Sequence, residues 1–103
     1  MISETKQKII NKIKDILEEQ EKEQKQAGKS LFQNILINDN TIILILSQPI
    51  SKTEIEGLTN FISELLIKKL YNEVSSQELK TLPTLIFSEL CEGNVCSKLK
   101  IEI

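Results

Sequence analysis

Residues 42–46 read Ile-Ile-Leu-Ile-Leu, five consecutive aliphatic side chains between Thr41 and Ser47. Successive side chains of an extended chain point to opposite faces, so a strand made of this run is apolar on both. Such a strand belongs inside a sheet, with apolar cover above and below it. The run is far too short to cross a bilayer, which takes roughly 20 apolar residues in a helix. The rest of the chain must therefore supply the cover. Either a helix lies on each face, or a partner chain lies on one.

Two segments have the pattern for those helices. From Ser3 to Ala27, Ile9, Ile10, Ile13, Ile16 and Leu17 recur at three- and four-residue spacing, with Ser3 as N-cap and Gly28 just past the end. The apolar stripe stops at Leu17. Residues 18–26 are all Glu, Gln or Lys, so 18–30 is expected to be a polar helix extension and connector that projects into solvent or frays. The second helix starts at the capping-box pattern Ser51-Lys52-Thr53-Glu54. Its stripe is Ile55, Leu58, Ile62, Leu65, Leu66 and Leu70, flanked by Phe61 and Val74, and its end is expected near Ser75 and Ser76.

Around these helices lie two hairpin patterns. Leu31–Asn38 and Thr41–Gln48 are joined by Asp39 and Asn40, residue types that tolerate the positive φ of a tight turn. Pro49 is expected to end the second strand. Phe32 and Leu36 are expected on one face of the first strand with Asn34 and Asn38, and Leu31, Ile35 and Ile37 on the other. Thr84–Cys91 and Val95–Ile103 form the second hairpin. In its outer half Val95, Leu99, Ile101 and Ile103 alternate with Cys96, Lys98, Lys100 and Glu102. This half is expected to be an edge strand, with Lys98 and Lys100 as guards against unwanted pairing. The fold class that follows is α+β, a single domain over 1–103. It is a two-layer sandwich with an antiparallel four-stranded sheet and two main helices, in the order α-β-β-α-β-β. That element order resembles roadblock-type and longin-like modules, which use such arrangements in dimeric adaptors. The resemblance lies in element order alone.

Composition narrows the chemistry. The chain has no His, and all 13 of its basic residues are Lys. The commonest catalytic and metal-binding side chain is therefore missing, as is the bidentate phosphate fork of Arg. Gly28-Lys29-Ser30 has the ending of a phosphate-binding loop, but the position five residues before Gly28 is Glu23, and the segment follows a helix instead of a strand. It reads as a helix stop. The carboxylates sit in a solvated run (Glu18, Glu19, Glu21, Glu23) or at a helix N-terminus (Glu54, Glu56), where dipole complementarity accounts for them. No Ser has a base set beside it by sequence. The expectation is a non-enzyme with no cofactor and no metal. Enrichment in Ile, Lys and Asn fits an AT-rich genome, such as that of an archaeon or a virus.

Cys91 and Cys96 flank a turn at Gly93 and Asn94, so they are expected to oppose each other and to be able to form a disulfide; the same register would set Glu89 against Lys98. Two Cys without His fall short of the four ligands of a zinc site. Lys6, Lys8, Lys12 and Lys14 give the first helix a basic face. The overall formal charge is −2, and acids dominate from Asp15 to Glu23. A nucleic-acid-associated regulator using that basic face is thus the alternative to the leading reading, a small protein–protein interaction or assembly module acting as a homodimer. Its interaction candidates are Phe32 and Leu36, because one helix covers one sheet face and the first helix is too short in apolar residues to cover the other fully. No apolar leader follows the first Lys residues, so the expected location is cytoplasmic.

Overall fold

The computed structural model describes residues 4–73 and 84–103. Its elements follow in the order α1 (Glu4–Gln26), β1 (Phe32–Asn38), β2 (Thr41–Ser51), α2 (Lys52–Glu73), β3 (Ile86–Glu92) and β4 (Val95–Glu102). This is the expected α-β-β-α-β-β sequence. The expected roles of Ser3, Val74, Ser75 and Ser76 lie outside the described residues.

Local chemistry sets the boundaries. At the end of α1, Lys29 N donates to Gln24 O at 2.7 Å and Gly28 N to Lys25 O at 3.0 Å. These are the paired bonds of a Schellman motif, whose C′ residue must be left-handed. Gly28 takes φ = 75° there. Ser51 Oγ accepts from Glu54 N at 3.2 Å, the N-cap half of the expected capping box, while Glu54 Oε1 accepts from the Ser51 hydroxyl at 3.2 Å in place of its backbone N–H. The first hairpin turns on Asp39, with φ = 53°, and the second on Gly93, with φ = 62°.

The four strands form one antiparallel sheet in the order β1-β2-β4-β3. The aliphatic run lies in β2, inside the sheet as required. Across β2 and β4, Ile42 pairs with Ile101 and Leu44 with Leu99. The expectation that Val95–Ile103 is an edge strand is corrected, because β4 is interior and the edges are β1 and β3. Hairpin patterns specify which strands are sequential neighbours. They do not specify which arms of two hairpins meet.

Both helices pack on the same face of the sheet. Ile10, Ile13 and Leu17 of α1 and Ile55, Ile62 and Leu66 of α2 are fully buried, in one cluster with Phe32, Ile42, Leu44, Leu46, Leu99 and Ile101. The alternative of one helix on each face is therefore set aside. The helical stripes are narrow enough to pack side by side, and α1 touches both α2 and β1.

Two bulges reset which residues share a face. In β1 the register shifts between Phe32 and Asn34, with Phe32 opposite Leu46 and Asn34 opposite Ile45. An extra residue in one strand inverts the facing of everything before it. Phe32 therefore joins the helix-covered side, 4% exposed, instead of sharing a face with Leu36. In β4 the extra residue is Ser97, since Leu90 pairs with Lys98 and Cys91 with Cys96. Glu89 consequently faces Leu99 and not Lys98, Cys96 turns into the core, and Val95 turns away from it. Pro49 does not end β2. The strand runs on to Ser51 through an irregular stretch between Ile45 and Ile50, where a residue lacking an N–H removes no ladder bond.

Candidate interaction surface

Opposite residues of an antiparallel pair point to the same side, so the registers define rows across the face that carries no helix. One row is Asn38, Thr41, Glu102 and Ile86, and the next is Leu36, Ile43, Lys100 and Ser88. A third row is Asn34, Ile45, Lys98 and Leu90, and beyond the bulge Ser51, Val95 and Glu92 form a fourth. Among the described residues no element packs on this face. Leu36, Ile86, Leu90 and Val95 are all among the exposed large apolar residues, at 44%, 53%, 37% and 52%. Ile43 and Ile45 are half-buried between them. A shallow groove of about 730 Å³ runs along one end, lined by Pro49, Leu90, Glu92, Val95, Ser97 and Lys98. The charges on the face balance: Lys98 and Lys100 against Glu92 and Glu102.

Of the two interaction candidates, Leu36 lies on this open face and Phe32 does not. Ile43, Ile45, Ile86, Leu90 and Val95 were missed as surface residues. The alternation of Ile86, Ser88 and Leu90 was legible in the sequence, but the placement of Val95 depends on the Ser97 bulge.

The two sheet edges differ in chemistry. Along β1 and just before it, the backbone amides of Leu31, Phe32 and Ile35 are occupied by side chains. The Glu21 carboxylate accepts from Leu31 N and Phe32 N, both at 3.1 Å, and from Ser30 Oγ. Asn34 Oδ1 accepts from Ile35 N at 2.8 Å. Glu21 thereby ties the polar half of α1 to the start of β1, which corrects the expectation that 18–30 projects freely. Glu21 reaches these amides because Gly28 reverses the chain and brings Leu31 and Phe32 back past it. Along β3, among the described residues, the side-chain hydrogen bond is Thr59 Oγ donating to Glu89 Oε1 at 3.3 Å, and no side chain occupies an amide.

Cys91 and Cys96 oppose each other as expected, paired as a disulfide with Cα atoms 3.9 Å apart. Cys96 is fully buried beside Leu99 and Ile101, and Cys91 packs at the rim of the same core. The bridge therefore staples the β3–β4 hairpin from its covered side.

The four candidate residues Lys6, Lys8, Lys12 and Lys14 do not make one basic face. Lys8 and Lys12 are one turn apart, but Lys14 is six positions beyond Lys8, about 240° around the helix and past the Ile stripe. Lys14 pairs with Glu18 at 3.7 Å, and Lys6 and Lys12 also have interaction partners. Among the described residues, no group of three Cys, Asp or Glu side chains is arranged to hold a metal ion, and no helix is long and apolar enough to cross a membrane. Comparison with family models, with curated proteins and with solved structures finds no match to this chain.

Proposed function

We propose that the chain is a non-catalytic assembly module that works as a homodimer joined through its sheet. The observation that carries this reading is the concentration of Leu36, Ile43, Ile45, Ile86, Leu90 and Val95 on the sheet face that no described helix covers. Leu36, Ile43 and Ile45 form one apolar patch and Ile86 and Leu90 another, on either side of Glu102, Lys100 and Lys98 of β4, and exposed apolar patches can mark contact sites. The charges beside them sum to zero, which suits a surface of the same composition and does not suit a polyanion. A second copy meets these terms, and closed two-fold pairs are the commonest way for one chain to bury such a surface.

The absence of His and Arg in the sequence supports the non-catalytic half of the reading, since acid–base work near neutral pH and phosphate clamping lose their usual side chains. Light scattering across a wide concentration range tests the proposal. The expected result is a mass that rises with concentration toward twice the 11.8 kDa of one chain. A mass that stays at one chain through high micromolar concentration refutes it.

A further inference from the structure

We propose that the two copies join edge to edge, β3 against β3 of the second copy, antiparallel and centred on Ser88, so that one continuous sheet spans the dimer. The inference rests on the homodimer reading and places its seam at the β3 edge, where Ile86 and Leu90 become covered while Leu36, Ile43, Ile45 and Val95 stay open.

Among the described residues, the β3 edge is the more open of the sheet's two edges. The β1 edge is interrupted by the bulge at Gln33, and its amides at Leu31, Phe32 and Ile35 are occupied by Glu21 and Asn34. Among the described residues, the β3 edge, Ile86–Glu92, has few of the usual protections, its charged residues being Glu89 on the covered side and Glu92 on the open side. It contains no Pro, Gly or Lys, its extra residue lies on the neighbouring strand, and no described side chain occupies its amides. Hydrogen-bonded and non-hydrogen-bonded pairs alternate away from the two-residue turn at Gly93 and Asn94. Glu92 and Val95 close that turn, so the amides of Ile86, Ser88, Leu90 and Glu92 point toward β4, and those of Phe87, Glu89 and Cys91 point outward. The outward set is a template for another strand.

The side chains select the partner and the register. A two-fold axis normal to the sheet keeps the helices of both copies on one side and pairs strand positions symmetrically about one residue. Centring on Glu89 sets two carboxylates directly opposite each other, which is unfavourable. Centring on Leu90 leaves Ile86 beyond the overlap. Centring on Ser88 sets Ile86 against Leu90 of the second copy and Leu90 against its Ile86, two apolar pairs made from residues that are 53% and 37% exposed in one chain. On the covered side it sets Phe87 against Glu89 of the second copy and keeps the two Glu89 side chains apart. Helix α2 points the same way. Thr59, Ser63 and Ile67 form an i,i+4 row, and Thr59 bonds Glu89, so this row lies on the flank nearest β3. Ile67, the next residue of that row, is 52% exposed.

Crosslinking and charge exchange test the register. At the two-fold axis Ser88 meets Ser88 of the second copy as a non-hydrogen-bonded pair, with Cα atoms about 4.5 Å apart, a separation that a disulfide spans. Ser88→Cys should give a covalent dimer on mild oxidation, with peptide mapping assigning the bond to position 88 of both chains. Ile86→Lys with Leu90→Lys sets like charges opposite each other twice and should raise the dimer dissociation constant about tenfold or more at low salt. Ile86→Glu with Leu90→Lys sets opposite charges together and should restore the dimer relative to the double-Lys variant. Both sites are exposed, so far-ultraviolet circular dichroism and melting should show a folded protomer in each variant. A wild-type dimer that neither crosslinks at position 88 nor responds to the charge changes overturns the edge pairing and leaves the homodimer reading standing. A wild-type chain that is monomeric at every concentration overturns both.

Discussion

Phe32 and Leu36 are four residues apart in one strand, and a regular strand would expose them equally. The bulge at Gln33 places Phe32 in the core at 4% exposure, opposite Leu46, and leaves Leu36 on the open face at 44%. Alanine at the two positions should therefore have very different effects. Phe32→Ala empties a ring-sized volume in a core that has Ile10, Ile13 and Leu17 above the sheet, and Phe→Ala in such sites costs about 3–5 kcal/mol. Full burial of a Leu side chain is worth about 1.5–3 kcal/mol, and Leu36 is just over half covered, so Leu36→Ala should cost about 1 kcal/mol. In a domain of this size each kcal/mol moves the melting temperature by roughly 4–8 °C. Phe32→Ala should melt at least about 12 °C below wild type, and Leu36→Ala within about 8 °C of it. The assay is urea and thermal unfolding followed by circular dichroism, at a fixed low protein concentration so that assembly contributes equally. Equal losses at the two positions would refute the bulge and the division of faces built on it.

Three further outcomes check other parts of the structure. Reducing the Cys91–Cys96 bridge should lower stability by roughly 2 kcal/mol, the chain-entropy value for so short a loop, as read by melting with and without a dithiol; an unchanged midpoint would show that the bridge does not constrain the unfolded chain. Glu21→Ala removes the acceptor of two backbone amides and should cost about 1.5 kcal/mol, with loss of helical signal from the polar half of α1; full retention of helicity and stability would mean that α1 holds that half by itself. Binding to duplex DNA or RNA should be weak and disappear at physiological salt, because the Lys residues of α1 are split around the helix and few phosphates can be neutralised together; a sub-micromolar affinity at 150 mM salt would favour the nucleic-acid reading instead.

Short-range patterns made much of this protein legible before any coordinates. The helical stripes, the N-cap at Ser51, the stop at Gly28, both tight turns and the opposition of Cys91 and Cys96 all follow from interactions that span a few residues. Residue spacing and side-chain chemistry decide such features alone. The interior position of Ile42–Leu46 was equally legible, because a strand apolar on both faces has few other places to go. Four matters belong to the tertiary structure. Joining the hairpins through β2 and β4 made Val95–Glu102 interior and Ile86–Glu92 an edge. The bulges at Gln33 and Ser97 moved Phe32 and Cys96 into the core and Val95 out of it. Both helices went to one side of the sheet, so among the described residues the other face has no cover. Glu21 met Leu31 and Phe32 only because the chain reversed at Gly28. Period-2 alternation is symmetric under a one-residue slip, so sequence pattern cannot tell a regular strand from a bulged one. The choice falls to the packing of distant partners, here the fit of Phe32 beneath α1 and of Cys96 beside Leu99.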